Sequence, residues 1–487
     1  MQRRHSLLPL FRRGPRRSAA RAASAAAVAA TAATLLAAGA LLATAATASA
    51  ATAGGAQHPA FWVATSGSSA NSDTSCQSAG YSTVQSAVTA AQNGATGPHS
   101  PVPTIEVCPG TYQEQVTITK SLNIAHAPFP GGLAEILLPA SPALSTTNCQ
   151  VKDTSGEDPQ SVVEICAAAA GGTNTSGVQV SLNGVTVKGD WPANVCNDSL
   201  YGILVEGGAT LNLTTSTVEN IGADPTTSAG GCQGGVGVDA GNSYTSQIGH
   251  AYLSDDKIQT YQKNGVVIDG AGSLGKIVNT LVTGAGPTPY IAQNGIQIST
   301  GATGSVTGSH ISGNNYTGTG EASSTGILVY GGGSSCSGGD PQSGLVQHAS
   351  FTGNTLDNND VGIALFNIDP TCAKSAATPT RDVACFNVIS NDHGYPNGVA
   401  SADANISGLV TSTGYVGDQA GVSDTGNQDV ICGNRITGAG YQPRGATSSL
   451  PSPPPPAWVR PVDIFSFAAA IHPQVTGNRY DGQPYNP

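Results

Sequence analysis

The sequence predicts an all-β solenoid of short parallel strands stacked coil on coil. Three observations predict it. The first is an apolar run that opens on glycine and recurs six times: Gly202-Ile203-Leu204-Val205, Gly235-Val236-Gly237-Val238, Gly265-Val266-Val267-Ile268, Gly295-Ile296-Gln297-Ile298, Gly326-Ile327-Leu328-Val329 and Gly362-Ile363-Ala364-Leu365. The starts at 202, 235, 265, 295, 326 and 362 are 33, 30, 30, 31 and 36 residues apart, a regularity that marks a repeat architecture. The second is a companion run that reads small polar residue, any residue, apolar residue. It occurs as Asn183-Gly-Val185, Ser216-Thr-Val218, Asp256-Lys-Ile258, Asn279-Thr-Leu281, Ser309-His-Ile311, Asn354-Thr-Leu356, Asn387-Val-Ile389, Asn434-Arg-Ile436 and Asn478-Arg-Tyr480. The third is composition: 487 residues with 63 Gly, only 5% aromatic and 10% charged, as suits a chain built largely of turns.

Both runs alternate with period two, the strand signature. Between them lie Gly, Ser, Thr and Asn with no helical period, which argues against βαβ units. No single unit can bury its apolar face alone, so stacked units must share one continuous core. Each coil then gives one rung to each of about three parallel sheets, with rungs about 4.8 Å apart.

Taken in order, residues 1–50 read as a targeting segment, a cleaved signal peptide with an uncleaved membrane anchor as the alternative. Arg3, Arg4, Arg12, Arg13, Arg16, Arg17 and Arg21 form a basic head, an Ala-rich run follows, and Ala48-Ser49-Ala50 is a small-residue cleavage site. Residues 51–80 read as an N-terminal extension, and 81–487 as the solenoid with long loops. Tyr81 to Gln92 places Val84, Ala87, Val88 and Ala91 on one helical face, with Ser82 as its cap and Asn93-Gly94 as its end. A short amphipathic helix there closes the open apolar end of a solenoid. The first strands follow at Thr104–Tyr112 and Val116–Ile118. Loops carrying Trp191, Tyr261, Tyr290, Tyr316 and Tyr395 vary most, and Pro451–Pro456 forms a polyproline spur.

With both runs in view, the chain resembles the right-handed parallel β-helix superfamily, the pectin-lyase-like fold, over about residues 80–487. The column Asn183, Asn279, Asn354, Asn387, Asn434 and Asn478 resembles that fold's asparagine ladder, in which stacked amides bond one another and satisfy turn backbone. The resemblance implies a single-stranded right-handed parallel β-helix with a short N-terminal capping helix. The opening around Tyr81–Tyr112 is similar to that of pectinesterases, but the catalytic motifs of pectinesterases are absent. Asp392-His393-Gly394 and Arg435-Ile436-Thr437 match polygalacturonase motifs only loosely, and repeat grammar explains Arg435 better.

All ten cysteines lie beyond residue 50, and an even count in an exported chain favours disulfides. Proximity suggests Cys76–Cys108, Cys149–Cys166, Cys196–Cys232, Cys336–Cys372 and Cys385–Cys432. The last has a further reason, since Cys385 and Cys432 each precede a ladder Asn by two residues. Seven of the 19 basic residues and none of the 30 acidic ones fall in 1–50, so the remainder carries 12 basic and 30 acidic residues, a net of −18. That balance argues against nucleic acid and anionic membranes as partners. The expected partner is an extracellular polysaccharide or cell-surface glycan, met by a monomer with no membrane span once the signal is removed.

Aligning the glycine-initiated runs yields an outward column of Glu206, Asp239, Asp269, Ser299, Tyr330 and Phe366. Three carboxylates on successive rungs would raise one another's pKa. They could supply a general acid and base for catalysis, or oxygen ligands for Ca²⁺; otherwise they are a solvated acidic strip. Tyr330 and Phe366, with Trp191 and Tyr290 from the loops, could stack on sugar rings. Asp255 and Asp256 form a second acidic pair, with Asp256 at a ladder position. Two function classes stay open: a non-catalytic glycan-binding solenoid or surface scaffold, and a polysaccharide hydrolase or lyase working on the outward carboxylates. Fold alone does not choose between them.

Overall fold

The computed structural model describes residues 60–94, 102–141, 160–166, 177–189, 200–318, 323–332, 344–368, 378–392, 418–441, 458–464 and 473–485. Residues 1–50, expected as a signal peptide, and Trp191, Cys149, Cys196, Cys336, Cys372, His393, Tyr395 and the polyproline run lie outside them.

Among the described residues the strands fall into three sheets of 12, 10 and 12 strands, here sheets I, II and III. The chain visits sheet I, then III, then II, and returns to sheet I one rung further on, so the sheet neighbours are three strands apart in sequence. Every ladder is parallel except the last, where Arg479–Tyr480 pairs antiparallel with Gln483–Pro484. This is the parallel β-helix that the repeat predicts. The first strand, Phe61–Val63, pairs with Thr104–Val107, so the solenoid already begins within the stretch expected as an extension, residues 51–80.

The inward residues of sheet II show why the glycine-initiated run repeats. Ile203, Val238, Val266, Ile296, Ile327, Ile363 and Val422 stack in register, all with no exposed surface. Burying one such side chain contributes about 1.5–3 kcal/mol. The glycine before each is there because the coils approach too closely for a side chain. A Cβ on Gly202, Gly237, Gly265, Gly295, Gly326, Gly362 or Gly421 would lie 2.5–2.7 Å from a carbonyl oxygen of the next coil. Gly237, not Gly235, therefore aligns with Gly202 and Gly265. The second run is shifted by two residues from the alignment read off the sequence, and Asp239 shifts with it.

The bend from sheet I to sheet III has its own two-residue rule. First comes a left-handed residue: Gly184, Thr215, Asp255, Asn279, Gly308, Gly353, Phe386, Gly433 and Gly477 all have φ between +48° and +70°. The next residue is the ladder: Val185, Ser216, Asp256, Thr280, Ser309, Asn354, Asn387, Asn434 and Asn478. From Ser216 on, each of them is buried. Each amide of Asn354, Asn387 and Asn434 donates to the Oδ1 of the Asn below, at 3.0, 3.0 and 2.9 Å. The backbone N–H groups of the same three residues use the same acceptors, all at 3.0 Å. Upstream, Ser309 Oγ accepts from Thr280 N–H at 3.1 Å and Asp256 Oδ1 from Ser216 N–H at 2.9 Å. The ladder expected at Asn183 and Asn279 is corrected here. Asn279 is the left-handed residue and Thr280 the ladder residue, while Asn183 precedes Gly184 on the strand. Asn tolerates the left-handed region better than most residues, so identity alone misled.

The helix Val84–Gly94 buries Val84, Ala87, Val88 and Ala91 against the first coils, as expected. Its cap differs. Glu114, just past the strand Gly110–Gln113, accepts Val84 and Gln85 N–H, one on each oxygen, both at 2.7 Å. Thr83 Oγ1, rather than Ser82, accepts Ser86 N–H at 3.2 Å. A carboxylate from the next strand can meet two orphan donors at once, and it also favours the helix dipole. Cys76–Cys108 and Cys385–Cys432 are bonded, with Cα atoms 5.7 and 4.5 Å apart. Cys385 and Cys432 are direct partners on adjacent rungs. Cys166 and Cys232 are disulfide-bonded too, and the three remaining expected pairs each involve a residue outside the described ones.

Candidate functional site

The outer face of sheet II brings four carboxylates together, but not as one column. Glu164 and Asp239 both lie on the column through Leu204, which is the register partner of each. Glu206 and Asp269 lie two residues further along, on the column that passes through position 241. The acids thus zigzag over four successive rungs: Glu164, Glu206, Asp239, Asp269. Diagonal neighbours of this kind lie about 7–8 Å apart. The expectation of three stacked carboxylates is corrected by the same two-residue shift that moves Gly237 into line.

The expectation of a solvated strip is corrected as well. Leu204 and Val267, both buried, occupy outward positions between the acids. Glu164 is 5%, Glu206 1% and Asp239 9% exposed. Glu206 Oε1 and Asp239 Oδ1 are buried with no hydrogen-bond partner. Burial first, then the Asp239 and Glu164 carboxylates, push the Glu206 carboxyl well above the usual range. Burial, then Asp269, does the same to Asp239. Removing water penalises the charged form, and a like charge nearby penalises it again. Such an acid holds its proton to a higher pH than a free carboxyl does and can donate it.

Asp269 is held differently. Its carboxylate accepts Ser299 Oγ–H at 2.8 Å, Ser243 N–H at 2.8 Å and the Thr300 hydroxyl. Ser299, Tyr330 and Phe366 follow Asp269 on its column in the expected order. Phe366 packs on Val361, Ala364 and Ala420, so part of its ring belongs to a small outer apolar cluster. Tyr290 is 43% exposed. Trp191 lies outside the described residues.

The second acidic pair is structural. Asp255 takes the left-handed turn position and accepts Ser254 Oγ–H at 2.8 Å. Asp256 accepts Ser216 and Ser254 N–H, both at 2.9 Å, and burial pushes it up to about 7. A third acidic group had no signal in the repeat. Asp382 and Asp429 precede adjacent strands of sheet I and are fully buried with Asp424. Asp382 accepts Ala349 N–H at 2.8 Å and Asn367 Nδ2–H at 2.8 Å, and Asp429 accepts Asp382 N–H at 2.8 Å and Thr380 Oγ1–H at 2.6 Å. They work as a second ladder with aspartate in place of asparagine. Among the described residues no three His, Cys, Asp or Glu side chains converge on a site that could hold a metal ion.

Glu164 is the site residue that sequence reading missed. Its strand, Gln160–Cys166, has Val162 where later coils have glycine, so it fell outside the repeat. The period-two alternation of Val163 and Ile165 around Glu164 is the signal that would have found it.

No protein-family model matches the chain, nor does any curated protein. Among solved structures it is similar to the Dettilon tailspike protein, at 13% identity and TM-score 0.44 over 82% of this chain and 62% of that one. It therefore spans less than two thirds of the tailspike chain. It is also similar to a rhamnogalacturonan lyase, at 11% identity and TM-score 0.43 over 86% of this chain and 87% of that one. A pectin methylesterase in complex with a hexasaccharide is similar at 11% identity and TM-score 0.27, over 86% and 96% of the two chains. Among the described residues no helix is long and apolar enough to cross a membrane.

Proposed function

We propose that the protein is an exported polysaccharide-cleaving enzyme that works on the outer face of sheet II. The observation that carries this reading is the pair Glu206 and Asp239: two buried carboxyls with an unsatisfied oxygen each, on adjacent rungs. An unsatisfied buried carboxyl costs about 1–3 kcal/mol, and nothing in the repeat requires one there. Glu206 or Asp239 is the proton donor to the leaving oxygen. Asp269, held by three donors, is the carboxylate that activates water or stabilises positive charge at the sugar. Tyr330 and Phe366 extend the same column and would meet a sugar ring. The names of the solved structures it resembles, which include a lyase and an esterase, agree with a glycan as substrate.

The 1% and 9% exposure of the two acids favours a second reading, a glycan-binding or scaffold solenoid without catalysis. One assay separates them. The mature protein is incubated with a glycan panel, with and without Ca²⁺, and read by reducing ends and by unsaturated-product absorbance. Cleavage that falls about 10²–10⁴-fold in Glu206→Gln or Asp239→Asn supports the enzyme. Unsaturated product marks a lyase and its absence a hydrolase. No product on any glycan from a folded protein sinks the enzyme reading, and so does cleavage that survives both substitutions.

A further inference from the structure

The edge between sheets I and III carries a feature that the repeat does not explain. Phe386 occupies the left-handed turn position with φ +60°. Its coil neighbours there, Gly433 and Gly477, have no side chain. A left-handed bulky residue costs roughly 1–2 kcal/mol, and its ring gains little burial in return, since Phe386 is 68% exposed. The ring lies over Gly433, where an added Cβ would come within 2.7 Å of it. The Cys385–Cys432 bridge pins the preceding residue. Strain held in place at an exposed position points to a role other than packing.

Two residues on from these turn positions, Val388, Arg435 and Arg479 form one outward column of sheet III. Val388 is 44% exposed, and both arginines are exposed. Among the described residues neither arginine is in an ion pair. Like charges directly opposite on adjacent strands are destabilising, and here they sit together in a chain with few basic residues. The acids nearest by register have their own partners. Asp357 is bonded by His310 at 2.7 Å and by Ser390 Oγ–H, and Asp481 accepts Gly438 N–H at 3.4 Å.

We infer that this edge is a binding site for an acidic oligosaccharide, separate from the outer face of sheet II. The Phe386 ring, lying over Gly433, is the platform on which one sugar ring stacks, bare Gly477 leaves a track for the neighbouring sugar, and Arg435 and Arg479 take uronate carboxylates. Guanidinium groups bind carboxylates bidentately, and an aromatic face suits the apolar side of a pyranose. A single-stranded nucleic acid would also stack and pair with arginine, and the oligonucleotide arm of the titration below separates it from the glycan.

Calorimetric titration of the mature protein with a β-1,4-linked glucuronate hexamer tests this. Cellohexaose, which lacks only the carboxylates, and a hexadeoxynucleotide are the comparison ligands. The glucuronate hexamer is expected to bind, at least tenfold tighter than either comparison ligand, and to weaken as salt is raised. Arg435→Ala with Arg479→Ala should lose at least tenfold. Phe386→Gly should lose at least tenfold while raising the melting temperature, because glycine relieves the left-handed strain. That opposite movement of affinity and stability distinguishes a binding ring from a structural one. No binding of the hexamer overturns the inference. So does equal binding of cellohexaose or the oligonucleotide, or wild-type affinity in both sets of variants.

Discussion

Asp256 and Asp239 are both buried aspartates in neighbouring coils of one solenoid, and they differ in one respect. Each oxygen of Asp256 accepts a backbone N–H at 2.9 Å. Asp239 Oδ1 accepts nothing. Asp256 stands where Ser, Thr or Asn stands in other coils, so the repeat accounts for its burial. Asp239 stands between Leu204 and Val267 on the adjoining rungs, where the repeat offers its carboxyl no ladder partner. In a repetitive protein, a polar group that the repeat satisfies reads as architecture. One that it leaves unsatisfied is where function is to be sought.

The largest expected effect sets the inner face against the outer. Ile296→Ala removes a fully buried core side chain and should cost about 2–5 kcal/mol, whereas Gln297→Ala, next to it but facing outward, should stay within about 0.5 kcal/mol. Denaturant unfolding of the two variants checks this, and equal losses would mean that the outer face is as tightly packed as the core.

The next effect bears on the two aspartates. Asp256→Ala orphans two backbone donors and should cost about 1–3 kcal/mol. Asp239→Ala removes a carboxyl that satisfies no one and should cost nothing or stabilise. A matched loss in both would erase the comparison.

Dependence on pH sharpens it further. Asp256 and Asp429 are pushed up to about 7 and about 6, first of all by burial, and Glu206, Asp239 and Asp382 are raised as well. A carboxyl raised above its unfolded value of about 3.9–4.3 binds its proton more tightly when folded. Its stabilisation is complete below about pH 4 and is lost as pH rises through the folded value. The melting temperature should therefore fall between pH 4 and pH 8, and Asp239→Asn should flatten part of that fall. Lys263, lowered by burial to about 8, acts with the opposite sign in the window above. A melting temperature that climbs from pH 4 to 8 would refute these shifts. The smallest effect separates turn from ladder: Asn279→Gly should change stability by less than about 0.5 kcal/mol, and Thr280→Gly by about 1–2 kcal/mol.

Much of this fold was legible because each coil repeats one grammar. The glycine-initiated runs, the capping helix face at Val84, Ala87, Val88 and Ala91, the ladder from Asn354 to Asn478, and the Cys385–Cys432 bridge all follow from spacing. The site was legible only in part. Asp269, Ser299, Tyr330 and Phe366 share a column as expected, because their coils carry no insertions within the strand. Asp239 was misplaced because Gly235 and Gly237 both fit the run, and only the close approach of the next coil's carbonyl selects Gly237. Glu164 was missed because its strand lacks the glycine.

By itself, then, the sequence determined that this chain coils into stacked parallel strands, since period-two alternation at a repeat of about 30 residues has no other way to bury its apolar face. It also determined which residues face inward. Tertiary structure alone decided the register between coils and the environment of each outward acid. Those depend on backbone contacts between residues some 30 positions apart, and on how much water the neighbouring side chains exclude. Period and composition carry neither quantity.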